Sequence, residues 1–491
     1  MKATAAHRSG SSTVISHLRA GLVHHQARRL SDAEACYRRA LDLAPQHPDA
    51  LHLLGALLLE RGDLVPAVTH LERAVRARPD APDYELTLGN AWLALGDRER
   101  ALAAYHQAVR IDPSGAGARS NLGHVLRLEG RLDEAARQLE AAIALDPALP
   151  DPLINLGLVE LDRQRPKEAA ALLERAVRLA PRSALARFNL GTALQALGQI
   201  ERAAESFQAA TALDPSLPAA WRGLGVTLQL LGRADVAAGS YRRAIALDHA
   251  DVDSLTNLGV ILTEQGDFAG ALAAHDAATA VAPEIGGLRL NCGTTLQQMG
   301  RLEEAIASFE QAAALDPKSA AAWTALGSAR AEHGDWVAAE EAHRRALGVD
   351  PESADPHWNL ALALLGAGRL EAGWDEYEWR WQASTCPGPL RPYPVPLWHG
   401  EPLEGRRLLV WREQGLGDEI LFLTILDDLI RSGAEVTVLA SPRLVSLLAR
   451  RFPTADVRPD APEAVGAGDR FDWHLPLGSL PRWTRRAPAA F

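Results

Sequence analysis

Residues 116–149 read AGARSNLGHVLRLEGRLDEAARQLEAAIALDPAL, and the chain repeats this stretch with variation at a constant step of 34 residues. The proline near the end of each copy stands at Pro45, Pro79, Pro113, Pro147, Pro181 and Pro215, is missed once at His249, and returns at Pro283, Pro317 and Pro351. Composition alone does not keep a phase over that many steps. The period is that of a helix–turn–helix unit that buries its apolar face only by stacking on its neighbours.

Each copy has a physical reading. The series Gly21, Gly55, Gly89, Gly123, Gly157, Gly191, Gly225, Gly259, Gly293 and Gly327 falls inside the first helix of each pair. An interior glycine costs about 1 kcal/mol against alanine, so something must need the missing side chain. The second helix carries its own small residues, from Ala33 and Ala67 through Ala339 and from Ala40 through Ala346. Close approach of the two helices over these small residues is the expected reason. Leu122, Leu126, Leu132 and Leu139 would fill the space beside them. Gly62, Gly96, Gly130, Gly198 and Gly232 suit the turn between helices. Pro48, Pro82, Pro150 and Pro218 suit the first turn of the next helix.

A chain of 491 residues is too long for one compact core, but a solenoid escapes that limit. The net charge of −11 gives no support to a nucleic-acid partner. His275 and His343 fall where other copies carry Tyr105 or Phe309, which reads as buried packing, and no metal site or cofactor is expected. Cys36, Cys292 and Cys386 are far apart in sequence, so disulfides are not expected. The N-terminus lacks a signal-type apolar core, and no run approaches the roughly 18 apolar residues of a membrane span. The cytoplasm is the expected location.

Taken in order, residues 1–13 are polar and expected to fray, and residues 14–387 form the repeats. The last copy is degenerate, with Ala361 and Gly373 exchanged for the expected small residues. Its aromatic second helix (Trp374, Tyr377, Trp379, Trp381) should cap the stack against another folded region. Residues 386–398, CPGPLRPYPVPLW, should be a semi-rigid connector. Residues 399–491 read as a partial α/β domain. Arg407–Trp411 is a strand, 413–419 a glycine loop, Ile420–Arg431 a helix, Glu435–Ala440 a strand, Arg443–Arg451 a helix, and Asp456–Arg458 and Asp472–Leu475 are short strands.

The repeat pattern resembles the tetratricopeptide repeat (TPR) over residues 14–381. The resemblance implies a mostly α, right-handed superhelical solenoid of about eleven helix pairs, followed here by a partial Rossmann-like domain. Two residues before the glycine place stand Asn121, Asn155, Asn189, Asn257, Asn291 and Asn359. In TPR solenoids that place faces the concave groove, and in O-linked N-acetylglucosamine transferases a similar asparagine ladder holds protein substrates. The implied partners are proteins or peptides gripped by their backbone, since an amide both donates and accepts. Leu53, Thr87, Gly223 and Ala325 interrupt the row. The alternative is that the amides bond neighbouring repeats together.

The loop Glu413-Gln-Gly-Leu-Gly-Asp-Glu419 departs from a dinucleotide fingerprint, because Ile420 stands at its last glycine. Read alone, it is a tight turn with Asp418 as N-cap. Together with Trp379-Arg-Trp381, Leu397-Trp-His-Gly-Glu401 and Leu477–Pro481, it resembles bacterial TPR-containing glycosyltransferases and the amino-terminal half of GT-B heptosyltransferases. That resemblance assigns Asp418 as the base that activates the acceptor and Gln414, Gly415 and Gly417 as its ligand loop. A GT-B enzyme has a second α/β domain that holds the nucleotide sugar, and the sequence after residue 420 has no further glycine loop. The expected function is therefore a protein-interaction scaffold carrying an incomplete glycosyltransferase-like region. The alternative is a nucleotide-sugar glycosyltransferase whose catalytic part is truncated, with a nucleotide sugar bound only if that enzyme were complete.

Overall fold

Copy 116–149 folds as two helices, Ala116–Leu128 and Leu132–Leu145. The same pair recurs in register from Pro48–Arg61 with Leu64–Ala77 to Ala320–Glu332 with Trp336–Val349. The computed structural model describes residues 2–386, 388–413, 415–461, 463–466 and 468–487. They form two compact units, Met1–His249 and Ala250–Phe491. The first helix runs Lys2–Gln26, so helix extends through the residues expected to fray.

The turns follow the chemistry of the sequence. Gly62, Gly96, Gly130, Gly198 and Gly232 adopt φ between 71° and 88°, the left-handed conformation that ends a helix, and Gln164 takes the same conformation at φ 60° where its copy lacks the glycine. Pro48, Pro82, Pro150 and Pro218 open their helices as expected.

The interior glycines have a different partner from the one expected. A Cβ at Gly191 would lie 2.8 Å from Phe207 Cδ1, one at Gly123 2.5 Å from Leu139 Cγ, and one at Gly327 2.5 Å from His343 Cε1. The glycine thus makes room for the one bulky residue of the facing helix. The alanines Ala33, Ala67, Ala101 and Ala135, each with no exposed area, line the rest of that contact.

A second regularity lies at the turn between repeats. The carbonyl of the turn proline accepts a hydrogen bond from a side chain of the following helix. Arg119 Nη2 reaches Pro113 (2.9 Å), Arg187 Nε reaches Pro181 (3.3 Å), Trp221 Nε1 reaches Pro215 (2.9 Å), and Trp323 Nε1 reaches Pro317 (3.0 Å). His357 Nε2 sits 2.9 Å from Pro351 O in the same way. Where that place is Leu51 or Leu153, an arginine of the second helix substitutes: Arg73 reaches Pro45 at 2.7 Å and Arg175 reaches Pro147 at 3.1 Å. Backbone acceptors at helix ends need such partners when buried. Glu85 occupies the equivalent place in its repeat, buried, with no hydrogen to offer when ionised.

In the second unit the last repeat shortens. Its second helix, Leu370–Glu376, tightens into a 3₁₀ turn, Tyr377–Trp381. Ala361, Tyr377, Trp358 and Trp374 pack into one apolar core with Val410, Val438, Phe422 and Leu477 of the following region. That region holds a four-stranded parallel sheet of β1 (Arg407–Trp411), β2 (Glu435–Ala440), β3 (Asp456–Pro459) and β4 (Trp473–Pro476) in the order β3-β2-β1-β4. Val410 pairs with Val438 on one side and Leu475 on the other. The helix after β1 starts at Leu416, four residues before the expected Ile420, and breaks into Leu416–Leu423 and Leu426–Arg431. The helix after β2 is Val445–Arg451. The proline-rich segment lies along the sheet: Leu397 bridges to His474, the Trp398 N–H donates to His474 O at 3.0 Å, and Tyr393 packs beside Trp411. Its residue 387 lies outside the described residues.

Candidate functional site

The first helices of neighbouring repeats touch within each unit, so their polar residues form a continuous edge. In the first unit Asn121 Nδ2 donates to Asn90 Oδ1 at 2.9 Å, and Tyr105 Oη donates to the same oxygen at 2.7 Å. Asn155 Nδ2 stands 3.4 Å from Ser120 Oγ, and the pKa of the nearby His124 ring is depressed by burial and by Arg127 against an opposing hydrogen bond to Asn155. His52 Nε2 meets Thr87 Oγ1 at 2.9 Å, and burial lowers the pKa of its ring against the pull of Asp83 and Asp49. In the second unit Asn359 Nδ2 reaches Ser328 Oγ at 3.3 Å, while Asn257 and Asn291 are half-buried. Three of the six asparagines therefore bridge to the preceding repeat, as the alternative reading expected.

Asn189 differs from these. It is 3% exposed, and its Nδ2 is buried without a hydrogen-bond partner among the described residues. The interruption at Gly223 also has a cause, since a Cβ there would lie 2.7 Å from Phe207 Cε1. The Phe207 ring takes the space an asparagine would need. Sequence reasoning missed Asn90, Ser120 and His124. The signal for Asn90 and His124 was present, because they share one repeat position with Ser328, immediately after the glycine.

The glycine loop is anchored at both ends and exposed in the middle. Glu413 Oε2 accepts Arg380 Nη2 at 2.9 Å, and its Oε1 accepts the Gly478 N–H at 2.6 Å. Arg380 is 1% exposed and also donates to Glu378 Oε1 (2.9 Å), Ser479 Oγ (2.8 Å) and Tyr377 O (3.1 Å). Its guanidinium lies 4.4 Å from the Trp381 ring centre and 4.7 Å from that of Tyr377. At the far end, buried Glu419 accepts Arg412 Nε at 3.0 Å and the Ser441 N–H at 2.7 Å. Between these anchors Gly415, Leu416, Gly417 and Asp418 are exposed. Gly415, not Asp418, is the N-cap; Asp418 is the third residue of the helix, where the helix dipole favours a carboxylate. Gln414 lies outside the described residues.

In a parallel sheet a ligand crevice opens where the strand order reverses, here between the carboxyl ends of β1 and β4. The Gly478 N–H at that point is taken by Glu413. Among the described residues no cluster of His, Cys, Asp and Glu could hold a metal ion, and no helix is long and apolar enough to cross a membrane. Cys36, Cys292 and Cys386 are free thiols.

These features define a helical-repeat protein whose first helices present a polar edge. The family description "Tetratricopeptide repeat" matches residues 18–82, 86–150, 154–218, 188–251, 224–284 and 332–378, and "TPR repeat" matches 293–334. The matches span well over half of the sequence, and the chain belongs to the TPR family. Protein FlbA of Caulobacter vibrioides is 31% identical over 145 residues, which is 27% of this chain and 24% of that protein, so the likeness spans about a quarter of that relative's length. Among solved structures, the APC/C hetero-tetramer Cut9-Hcn1 is 14% identical with a TM-score of 0.39, covering 74% of this chain and 92% of that one. YrrB, a TPR protein described as having an unusual peptide-binding site, is 28% identical with a TM-score of 0.31, covering 38% and 95%.

Proposed function

We propose that the protein is an interaction scaffold that holds extended peptide segments along the first-helix edge of its repeats. On this reading residues 14–387 are the binding solenoid, 386–398 the connector, and 399–491 a partial α/β, Rossmann-like domain. Asn121, Asn155 and Asn189 supply the contacts in the first unit, and Asn257, Asn291 and Asn359 those in the second. The observation that carries the proposal is the buried, unpartnered amide nitrogen of Asn189 within a row in which Asn121 and Asn155 each turn an Nδ2 hydrogen toward the preceding repeat. Membership of a repeat family supports it, since stacked repeats build extended binding surfaces. The test replaces Asn121, Asn155 and Asn189 together by alanine. Capture of peptides from a random-sequence display library should fall several-fold with helical circular dichroism retained. Undiminished capture would return the row to a purely structural role.

A second reading concerns residues 399–491. A glycine loop between a parallel strand and a helix, with an exposed carboxylate in the first turn, favours descent from nucleotide-sugar glycosyltransferases, with Asp418 as the base and Gly415 and Gly417 as the loop. At the switch point of the sheet the Gly478 N–H is already taken by Glu413. We expect no binding of UDP- or ADP-sugars and no transfer by residues 1–491. Calorimetric titration is the test, and micromolar binding lost in Asp418→Asn would restore the enzyme.

A further inference from the structure

Seven of the twelve tryptophans fall between residues 374 and 483. Three of them, Trp381, Trp398 and Trp483, wall a pocket of about 70 Å³ at the carboxyl end of β4, with Glu378, Ser479 and His399 on its lining. That volume takes roughly five waters or one small alkylated group. The walls are fixed in place. Trp398 Nε1 donates to Glu401 O at 2.8 Å. Gly400 turns at φ 94° under the Trp483 indole, where a Cβ would come within 2.6 Å of Cε3. The Trp398 and Trp483 rings stand 5.8 Å apart at 54°, so they form two non-parallel faces.

Glu378 and Glu413 each lie 2.9 Å from Arg380. Burial pushes the Glu413 carboxyl up, while its two oxygens accept N–H donors from Arg380 and Gly478. Two carboxyl groups thus share a single guanidinium, and Glu378 is the one that reaches the pocket. Ser479 Oγ donates to Glu378 Oε2 at 3.0 Å and so orients that carboxylate, which stays 27% exposed. The other charged lining residue, Arg482, is held by Asp375 at 3.0 Å and rests 5.2 Å from the Trp483 ring centre, as Arg380 rests on Trp381, which leaves Trp398 as the indole with no guanidinium against it among the described residues. An indole face next to an oriented carboxylate selects a cation with an apolar coat, because the ring quadrupole and the carboxylate attract the same charge.

We propose that this pocket binds an organic ammonium group, either a small alkylated ammonium or the side chain of a lysine. The inference is independent of the peptide-binding edge. The test uses the full chain at constant ionic strength, following tryptophan fluorescence and calorimetry. Choline is compared with dimethylbutanol, its uncharged carbon isostere, and Nα-acetyl-lysine amide with its norleucine counterpart. At least one cation should bind saturably and roughly tenfold tighter than its neutral counterpart, and the tighter of the two identifies the source. Glu378→Gln should abolish that preference, and Trp483→Leu should remove the fluorescence response. Equal affinity for cation and isostere, absence of saturation, or an unchanged preference in a folded Glu378→Gln chain would overturn the proposal. The isostere comparison on the unaltered chain decides the matter if that variant does not fold.

Discussion

Replacing His343 by phenylalanine should remove an acid sensitivity built into the tenth repeat. His343 has no exposed area, its ring packs on Gly327, and neither ring nitrogen has a hydrogen-bond partner among the described residues. Phe207 and Phe309 fill the same place in other repeats, so the ring fits. Burial alone pushes the imidazole from 6.5 down to about 4. The sign follows from linkage. The unfolded chain takes up the proton near pH 6.5 while the folded chain resists until about pH 4, so stability is intact above 6.5 and falls as the pH drops through that window. The full loss is about 3 kcal/mol, of which about 2 kcal/mol is already lost at pH 5. Urea titrations at pH 7.5 and pH 5, read by hydrogen exchange in the helix Trp336–Val349, measure it. Carboxylates are common to both chains, so the difference between wild type and His343→Phe isolates the histidine. The variant should show a pH dependence smaller by about 2 kcal/mol. If the two chains lose stability in parallel, the buried-imidazole account is wrong.

Two further outcomes follow from side chains already described. Glu85→Gln should raise the stability of its repeat by about 1 kcal/mol at neutral pH, seen as a higher urea midpoint. It supplies a hydrogen toward Pro79 O and removes a carboxyl whose pKa burial raises against the pull of Arg110. Arg380→Met should destabilise the second unit by about 3–5 kcal/mol, because it strands the Glu413 carboxylate in the interior. Adding Glu413→Gln to that variant should recover much of the loss. Strict additivity in the double-mutant cycle would show that the pair is not coupled.

The repeats were legible because a period of constant phase averages over local irregularities, and β1 and β2 because their apolar runs are bounded by charge and glycine. Local patterns failed where the deciding contact is tertiary. The interior glycines were plain in the sequence, but not that Gly191 accommodates Phe207 rather than an alanine. The same Phe207 explains the break at Gly223, which a row-by-row reading sees only as a missing asparagine. The glycine loop delayed the expected helix start to Ile420. Gly417 sits in the first turn, where a helix tolerates it, and Gly415 serves as the cap. Arg380, Glu413 and Ser479 come together across 33 and 99 positions, a meeting no spacing rule encodes.

The amide row bears on how a scaffold can bind without loosening its own stack. An asparagine side chain has two hydrogens and two acceptor sites. Asn121 spends one hydrogen on Asn90, and Asn155 sets one toward Ser120, so each keeps capacity after securing its neighbour. Each such bond adds about 1 kcal/mol to the interface between repeats, and a peptide backbone that used only the remaining sites would leave it intact. Asn189 stands in the opposite condition. A buried, unpartnered N–H costs about 1–3 kcal/mol in the free chain, and because Asn189 is only 3% exposed a peptide carbonyl recovers that cost only where the packing beside it opens. The flanking asparagines would then set register while Asn189 supplied the gain in affinity, which makes the sixth repeat the centre of the proposed peptide site.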